Sequence, residues 1–441
     1  MKIILYFYCF LVFVRLDAQI YSLEKCIEIA LLNKESLKSA ALDVQSAAAG
    51  ARGSLSNILP TISYGNSWSE THSPTGSILS EIELMDSTFL FSSPYGGVSN
   101  TFGSSFSLRQ PIYDGGQWLN QIRSANNSLI ITQQLARQQE INVILNVHQS
   151  FYQRLKAQQL LEVAKKNLNL ARQQVSLVKT QFELGAVRKT DLLKTQVLQG
   201  RAQSDVLIQE TNLRNAKLAL RNSLGLMGSD VYFEITDLGQ PLLPVPELEQ
   251  SVSEMVEYNP TLFVYRSQIS GAELNRKILI GTRLPNLSAS LSYGTTSDEF
   301  DSMTQLDDWS SSVSLSLSVP IFTGYSLSTK QQQAELNVRK QQYDYLTQKH
   351  NLQVQLGNLI NALENYQELI PISEQVLASA EEDLNLVQER YSLGSSTILE
   401  VLDAQVSVSQ ARSSLVSIKY DARTQEAQLR ALLGTLDQDY R

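Results

Sequence analysis

The chain has 441 residues, of which 43% are hydrophobic and 18% charged, and its net charge is −8. Such a balance excludes an intrinsically disordered chain, and the dispersed, outnumbered basic residues exclude a nucleic-acid binder. Length alone predicts about three domains, a prior that internal repeats override.

The N-terminus, "MKIILYFYCFLVFVRLDAQ", sets Lys2 before an apolar run from Ile3 to Val14 and ends on the small residue Ala18. This pattern predicts a secretory signal peptide over 1–18. Arg15 and Asp17 close the run too early for a spanning helix, which needs about 20 residues. Cleavage removes Lys2, Arg15 and Asp17 and leaves the exported chain more acidic by one charge. Cys9 leaves with the signal, so Cys26 has no cysteine to pair with. The preceding "SLEK" is charged where a lipoprotein box is apolar, and Cys26 reads as a packed helix residue.

The strands come next. Ile62, Tyr64, Asn66 and Trp68 alternate with Ser63, Gly65 and Ser67, and Phe102, Phe106 and Leu108 follow. Further on, Leu287, Ala289, Leu291 and Tyr293 alternate with Ser288, Ser290 and Ser292. Val313, Leu315, Leu317, Val319 and Ile321 alternate with serines and Pro320. This period of two predicts strands with one apolar and one polar face. Aromatic residues such as Trp68, Tyr293 and Trp309 favour a membrane barrel over an ordinary sandwich. Four strands cannot close a barrel alone, so the barrel is expected to be shared between subunits.

Between the strands lie helices too long for a compact core. From about Gln117 to Gln181 there is neither proline nor glycine, which corresponds to roughly 95 Å of helix. Leu168, Ala171, Val175, Val178 and Phe182 follow a 3,4 spacing, as do Leu377, Ala380, Leu384, Val387 and Tyr391. Val401, Ala404, Val408, Ala411, Leu415 and Ile418 continue it. These narrow stripes predict antiparallel coiled-coil seams with wet outer faces.

One spacing organises the whole chain. "FSLRQPIYDGG" and "LSLSVPIFTGY", "FELG" and "YSLG", and "LRNSLG" and "LRALLG" are each 209 residues apart. Pro60 and Pro285, in "SLSNILPTISYG" and "LIGTRLPNLSASLSYG", stand 225 apart, so the first copy holds 16 extra residues, around 71–100. The predicted organisation is a first repeat over 19–225, a connector with one short strand at 226–246, a second repeat over 247–434 and a tail at 435–441. Each repeat reads helix, strand, loop, strand, long helix, turn, helix.

These coincident features resemble the TolC-like outer-membrane efflux proteins. The resemblance covers nearly all of the exported chain, and its most specific piece is "YSLGSSTILEVLDAQ", with "FELGAVRKTDLL" as a weaker partner. It implies a mainly α protein with membrane β: a homotrimer whose four strands per chain close a twelve-stranded barrel among outer-membrane lipid, above a periplasmic α-helical tunnel. It further implies a periplasmic adaptor (membrane fusion protein), an inner-membrane efflux pump or ABC exporter, and a passive duct for efflux or type I secretion. No cofactor and no catalytic residue are implied.

Site residues follow from the same resemblance. Leu184, Gly185, Leu393 and Gly394 correspond to the turns on which adaptor hairpins dock, and each glycine also fits a left-handed helix cap. Glu400 and Asp403 correspond to the acids ringing the closed tunnel mouth. Glu400 equally completes a capping box with Thr397, and Asp403 equally reads as a solvated surface acid. Tyr391 and Asp191 correspond to latch positions, with coiled-coil packing and helix-dipole stabilisation as their plainer readings. The arginine completing the family's latch is Ser396 here, which leaves Arg188 and Lys189 as substitutes to test.

The search for chemistry yields little. His72, His148 and His350 lack metal-ligand spacing, and no phosphate loop or nucleophile–base pair stands out, so no enzyme is expected. The competing class is a non-channel coiled-coil structural or adaptor protein, for which one hairpin between β-rich halves would be expected rather than a whole unit repeated.

Overall fold

The computed structural model describes residues 19–84, 87–228, 233–236 and 241–440. The signal peptide at 1–18 lies outside them, as do parts of the connector and the final residue. Two units make up the molecule. The first comprises residues up to Val44, Thr132–Tyr265 and Asp344–Arg441; the second comprises Gln45–Ile131 and Arg266–Tyr343.

In chain order the elements are β1 (Gln19–Tyr21), α1 (Leu23–Asn33), α2 (Glu35–Gly53), β2 (Thr61–Leu84), β3 (Ser87–Tyr113), α3 (Gln117–Glu183) and α4 (Lys189–Ser223). They continue with β4 (Phe233–Ile235), α5 (Leu248–Tyr258), α6 (Pro260–Gly281), β5 (Asn286–Ser297), β6 (Ser310–Ser318), α7 (Ser326–Ser392) and α8 (Ile398–Leu433). Helices α3 and α7 are each 67 residues long. No helix among the described residues is long and apolar enough to cross a membrane.

Local chemistry explains where the helices start. Asp114 accepts from the backbone N–H groups of Gln117 and Trp118 at 2.9 and 2.7 Å and so caps α3. Asn259 accepts from Leu262 N–H at 3.1 Å, with Pro260 at the first helical position, where its missing N–H costs nothing. Pro371 sits inside α7 on an exposed face, removing one hydrogen bond without breaking the helix.

The first unit carries the main cores. Ile141, Ile144, Val147 and Phe151 of α3 pack with Cys26, Ile27 and Ala30 of α1 and with Leu220 of α4. Beside them β1 pairs in parallel with β4, the short strand expected in the connector. Arg154, nearly fully buried, donates to the Phe233 carbonyl at 3.1 Å and to Glu234 at 2.9 Å, with its guanidinium over the Phe233 ring. Cys26 is packed as expected, and burial pushes its thiol up to about 12, so it stays an inert thiol. The coiled-coil seams form two further clusters. Leu161, Ala164 and Leu168 of α3 meet Val206 of α4, and Leu384 of α7 meets Ala404 and Val408 of α8.

His148 lies among Tyr152, Tyr440 and the main core, and its Nδ1 has no partner among the described residues. Burial, and secondarily the nearby Arg430, lower its pKa to about 4, against the opposing charges of Glu24 and Asp439. The fold therefore prefers neutral imidazole, and the stabilisation present above pH 6.5 is lost as pH falls toward 4. The shift corresponds to about 3 kcal/mol at most. Hydrogen exchange at 436–440 is expected to accelerate between pH 6.5 and 4 in the parent. In His148→Phe it should be flat beyond the intrinsic pH dependence, and an identical profile in both proteins would refute the linkage.

The second unit holds a four-stranded antiparallel sheet in the order β2-β3-β5-β6. Its register stacks like with like. Ile62, Leu108, Leu291 and Val313 form one row across all four strands, and Ser63, Ser107, Ser292 and Ser312 form the next. Serine hydroxyls bridge strands at 2.7 Å between Ser63 and Ser107 and between Ser290 and Ser314. The alternation read from the sequence is thus one apolar face and one hydroxyl face. Most of the apolar face is open; Val313 is 80% and Ile62 73% exposed. The first hairpin is the longer one, and before Phe102 strand β3 pairs only with β2.

Two strand expectations need correction. The last strand ends at Ser318, because Pro320 has no N–H to donate; Val319 and Ile321 fall outside it. Trp309 precedes β6 and is not a strand residue; its ring lies against Tyr293 at 5.0 Å and Phe106 at 6.1 Å. The prolines also divide: Pro60 and Pro285 stand immediately before β2 and β5, whereas Pro111 lies within β3 at a register shift.

Candidate functional site

The functional positions read from the sequence gather at the tips of two helical hairpins, α3–α4 and α7–α8. Both turns are closed the same way. Gly185 (φ 77°) and Gly394 (φ 74°) adopt the left-handed conformation that glycine tolerates best. Ala186 N–H donates to the Gln181 carbonyl at 2.8 Å and Gly185 N–H to Phe182 at 2.9 Å; Ser395 and Gly394 do the same to Arg390 and Tyr391 at 2.9 and 3.0 Å. These are paired Schellman motifs. A Cβ at either glycine would meet nothing within 4 Å, so backbone conformation, not crowding, demands glycine. Leu184 and Leu393, just before them, are 79% and 81% exposed.

The two tips share one core. Val178, Val387, Ile398, Val401 and Leu402 are buried together, with Leu192 and Tyr391 against them. The Tyr391 hydroxyl crosses between the hairpins and donates to Gln181 Oε1 at 2.7 Å. Burial raises the Tyr391 pKa against the lowering effect of that bond, and the Asp191 charge raises it further, so the phenol remains a donor at neutral pH.

The acids follow their local readings. Thr397 accepts from Glu400 N–H, and Glu400 Oε1 accepts from Thr397, a complete capping box for α8. Ser396 donates to Glu400 Oε2 at 2.7 Å. Hydrogen bonds from Ser396 and Thr397 hold the Glu400 carboxyl below its usual pKa. Asp191 occupies the corresponding third position of α4, where its carboxylate accepts from Arg188 N–H at 3.3 Å. Arg188 and Lys189 are exposed and make no ion pair among the described residues. Asp403, one turn deeper, is exposed, and its carboxylate has no partner among the described residues.

Gln181 escaped the sequence reading. It lies outside the apolar seam, and its counterpart 209 residues on is Arg390, so neither spacing nor repeat marks it. Among the described residues no group of three or more His, Cys, Asp or Glu is placed to hold a metal ion.

Comparison with known proteins agrees with this architecture. The profile of the outer membrane efflux protein family matches residues 26–226 and 252–435. The chain is 23% identical to outer membrane protein TolC of Vibrio cholerae over 356 residues, covering 77% of this chain and 78% of the relative. It is 25% identical to the alkaline protease secretion protein AprF of Pseudomonas aeruginosa over 446 residues, or 98% and 88% of the two chains. Its fold is similar to that of the Campylobacter jejuni CmeC outer membrane channel, with a TM-score of 0.81 at 16% identity over 94% of this chain and 86% of the other. With the profile spanning both hairpins and the strands before each, the chain belongs to the outer membrane efflux protein family.

Proposed function

We propose that the protein is the passive outer-membrane duct of a tripartite efflux or type I secretion system, working as a homotrimer. The observation that carries this reading is the sheet: like-on-like rows give it a lipid-compatible face and a hydroxyl face, while β2 and β6 leave two unpaired edges. Unpaired edges invite further strands, and three copies supply the twelve that close a barrel. Two repeats, over 19–225 and 247–434, then each contribute one β-hairpin and one helical hairpin. Leu184-Gly185 and Leu393-Gly394 are the docking points for a periplasmic adaptor coupled to an inner-membrane pump or exporter. Tyr391, Asp191 and Ser396 shape the closed tip, and Glu400 and Asp403 bring negative charge to the mouth.

At about 6 Å in water two like charges repel by less than about 1 kcal/mol, so the acids bias the mouth rather than lock it. Bilayers containing the purified full chain test the reading. Discrete conductance steps are expected, growing when Glu400→Gln and Asp403→Asn are combined. Silence in both proteins would overturn the duct.

A further inference from the structure

The part of the sheet in which all four strands run together, residues 61–69, 101–113, 286–297 and 310–318, contains a single charged residue, Arg109. In a chain with 18% charged residues this is a sharp local depletion. A membrane requires it of the apolar face, but nothing about lipid explains why the hydroxyl face is also built from serine, threonine and glycine.

The register puts Arg109 on that hydroxyl face. It pairs with Thr61 on β2 and Ser290 on β5, and Ser290 pairs with Ser314 on β6. This row is next but one to the all-serine row, two residues along each strand, and therefore on the same face. Thr61 is the first residue of β2, so Arg109 stands at the end of the sheet from which α2 and α3 lead away. Its side chain is exposed and makes no ion pair or hydrogen bond among the described residues. Four residues of one row thus present three hydroxyls and one uncompensated cation.

We propose that Arg109 sets the charge selectivity of the β-section of the duct, favouring anionic over cationic solutes where cargo enters the barrel. The inference rests on the duct reading, in which the hydroxyl face lines the lumen. Twelve strands about 4.8 Å apart and tilted about 40° enclose a radius of about 12 Å. Three inward guanidinium groups therefore lie within roughly 10 Å of the axis, with no acid on the same face to cancel them. Physiological salt screens over about 8 Å, 10 mM salt over about 30 Å and 1 M salt over about 3 Å. Coulomb's law in water then gives about a fivefold enrichment of anions, and a similar depletion of cations, at low salt.

Reversal potentials in potassium chloride gradients test this, in a Glu400→Gln/Asp403→Asn background that removes the mouth's own charge. Arg109→Ser is expected to cut the chloride-to-potassium permeability ratio by about twentyfold near 10 mM and to leave it unchanged near 1 M. Arg109→Glu should invert the preference, and Arg109→Lys should keep it. Channels that conduct with the same ratio in Arg109→Ser and Arg109→Glu as in their background would overturn the inference while leaving the duct intact. Absence of conductance in every protein would instead overturn the duct reading beneath it.

Discussion

Arg137→Ala is expected to destabilise the protein by about 3–5 kcal/mol. Its guanidinium holds three segments at once. Nε and Nη2 donate to the two carboxylate oxygens of Asp437 at 3.0 and 3.2 Å, Nη2 to the Gly434 carbonyl at 2.8 Å, and Nη1 to the Tyr258 carbonyl at 3.2 Å. Asp437 is fully buried, so removing the arginine takes away the two charge-assisted hydrogen bonds that offset the desolvation of its carboxylate. Gly434, the left-handed cap of α8, is held so close to Tyr258 that an added Cβ would lie 2.4 Å from its carbonyl oxygen. Loosening the clamp therefore frees the end of α8 and the loop after α5 together.

Denaturant unfolding in detergent and hydrogen exchange at 430–440 would both register the loss. Arg137→Leu with Asp437→Leu is expected to be clearly more stable than Arg137→Ala alone, because the pair then leaves no buried charge. A double variant as unstable as the single one would show that packing of the arginine stem, not charge pairing, holds this corner.

That clamp also shows what the sequence could not convey. Periodic features were legible, since each repeats a rule many times: serine alternation marked the strands, and the 3,4 spacings of Ala380, Leu384 and Val387 and of Val401, Ala404 and Val408 marked the seams. Gly185 and Gly394 were legible because one backbone conformation calls for glycine. The Thr397–Glu400 box was legible because its partners are three residues apart. Arg137 and Asp437 are 300 residues apart, and Tyr391 and Gln181 are 210 apart, with no spacing rule to join them. The sheet register was hidden for a related reason. Alternation gives each strand two faces, but only pairing reveals that Ser63, Ser107, Ser292 and Ser312 fall in one row. Where alternation ran past its physical limit, as at Pro320, the sequence pattern overshot the strand.

The row structure makes the second large prediction, because adjacent residues of one strand should respond in opposite ways to the same substitution. Val313→Arg puts a guanidinium on the face shared by Ile62, Leu108 and Leu291, where lipid contact in a barrel costs from about 1 kcal/mol per charge near an interface to about 2–4 kcal/mol near the midplane. In the proposed trimer that cost is incurred three times, so the yield of oligomer in outer-membrane fractions, read by gel electrophoresis without boiling, is expected to fall. Ser312→Arg adds the same side chain one residue earlier, among Ser63, Ser107 and Ser292, where water solvates it. Oligomer yield should then stay near that of the parent, while conductance shifts further toward anions, as a second ring beside Arg109 would produce. Equal loss in both variants would mean that neither face meets water in the assembled protein, and equal tolerance would mean that neither meets lipid. Only the asymmetric outcome fits a sheet whose apolar rows face the bilayer and whose hydroxyl rows line a lumen.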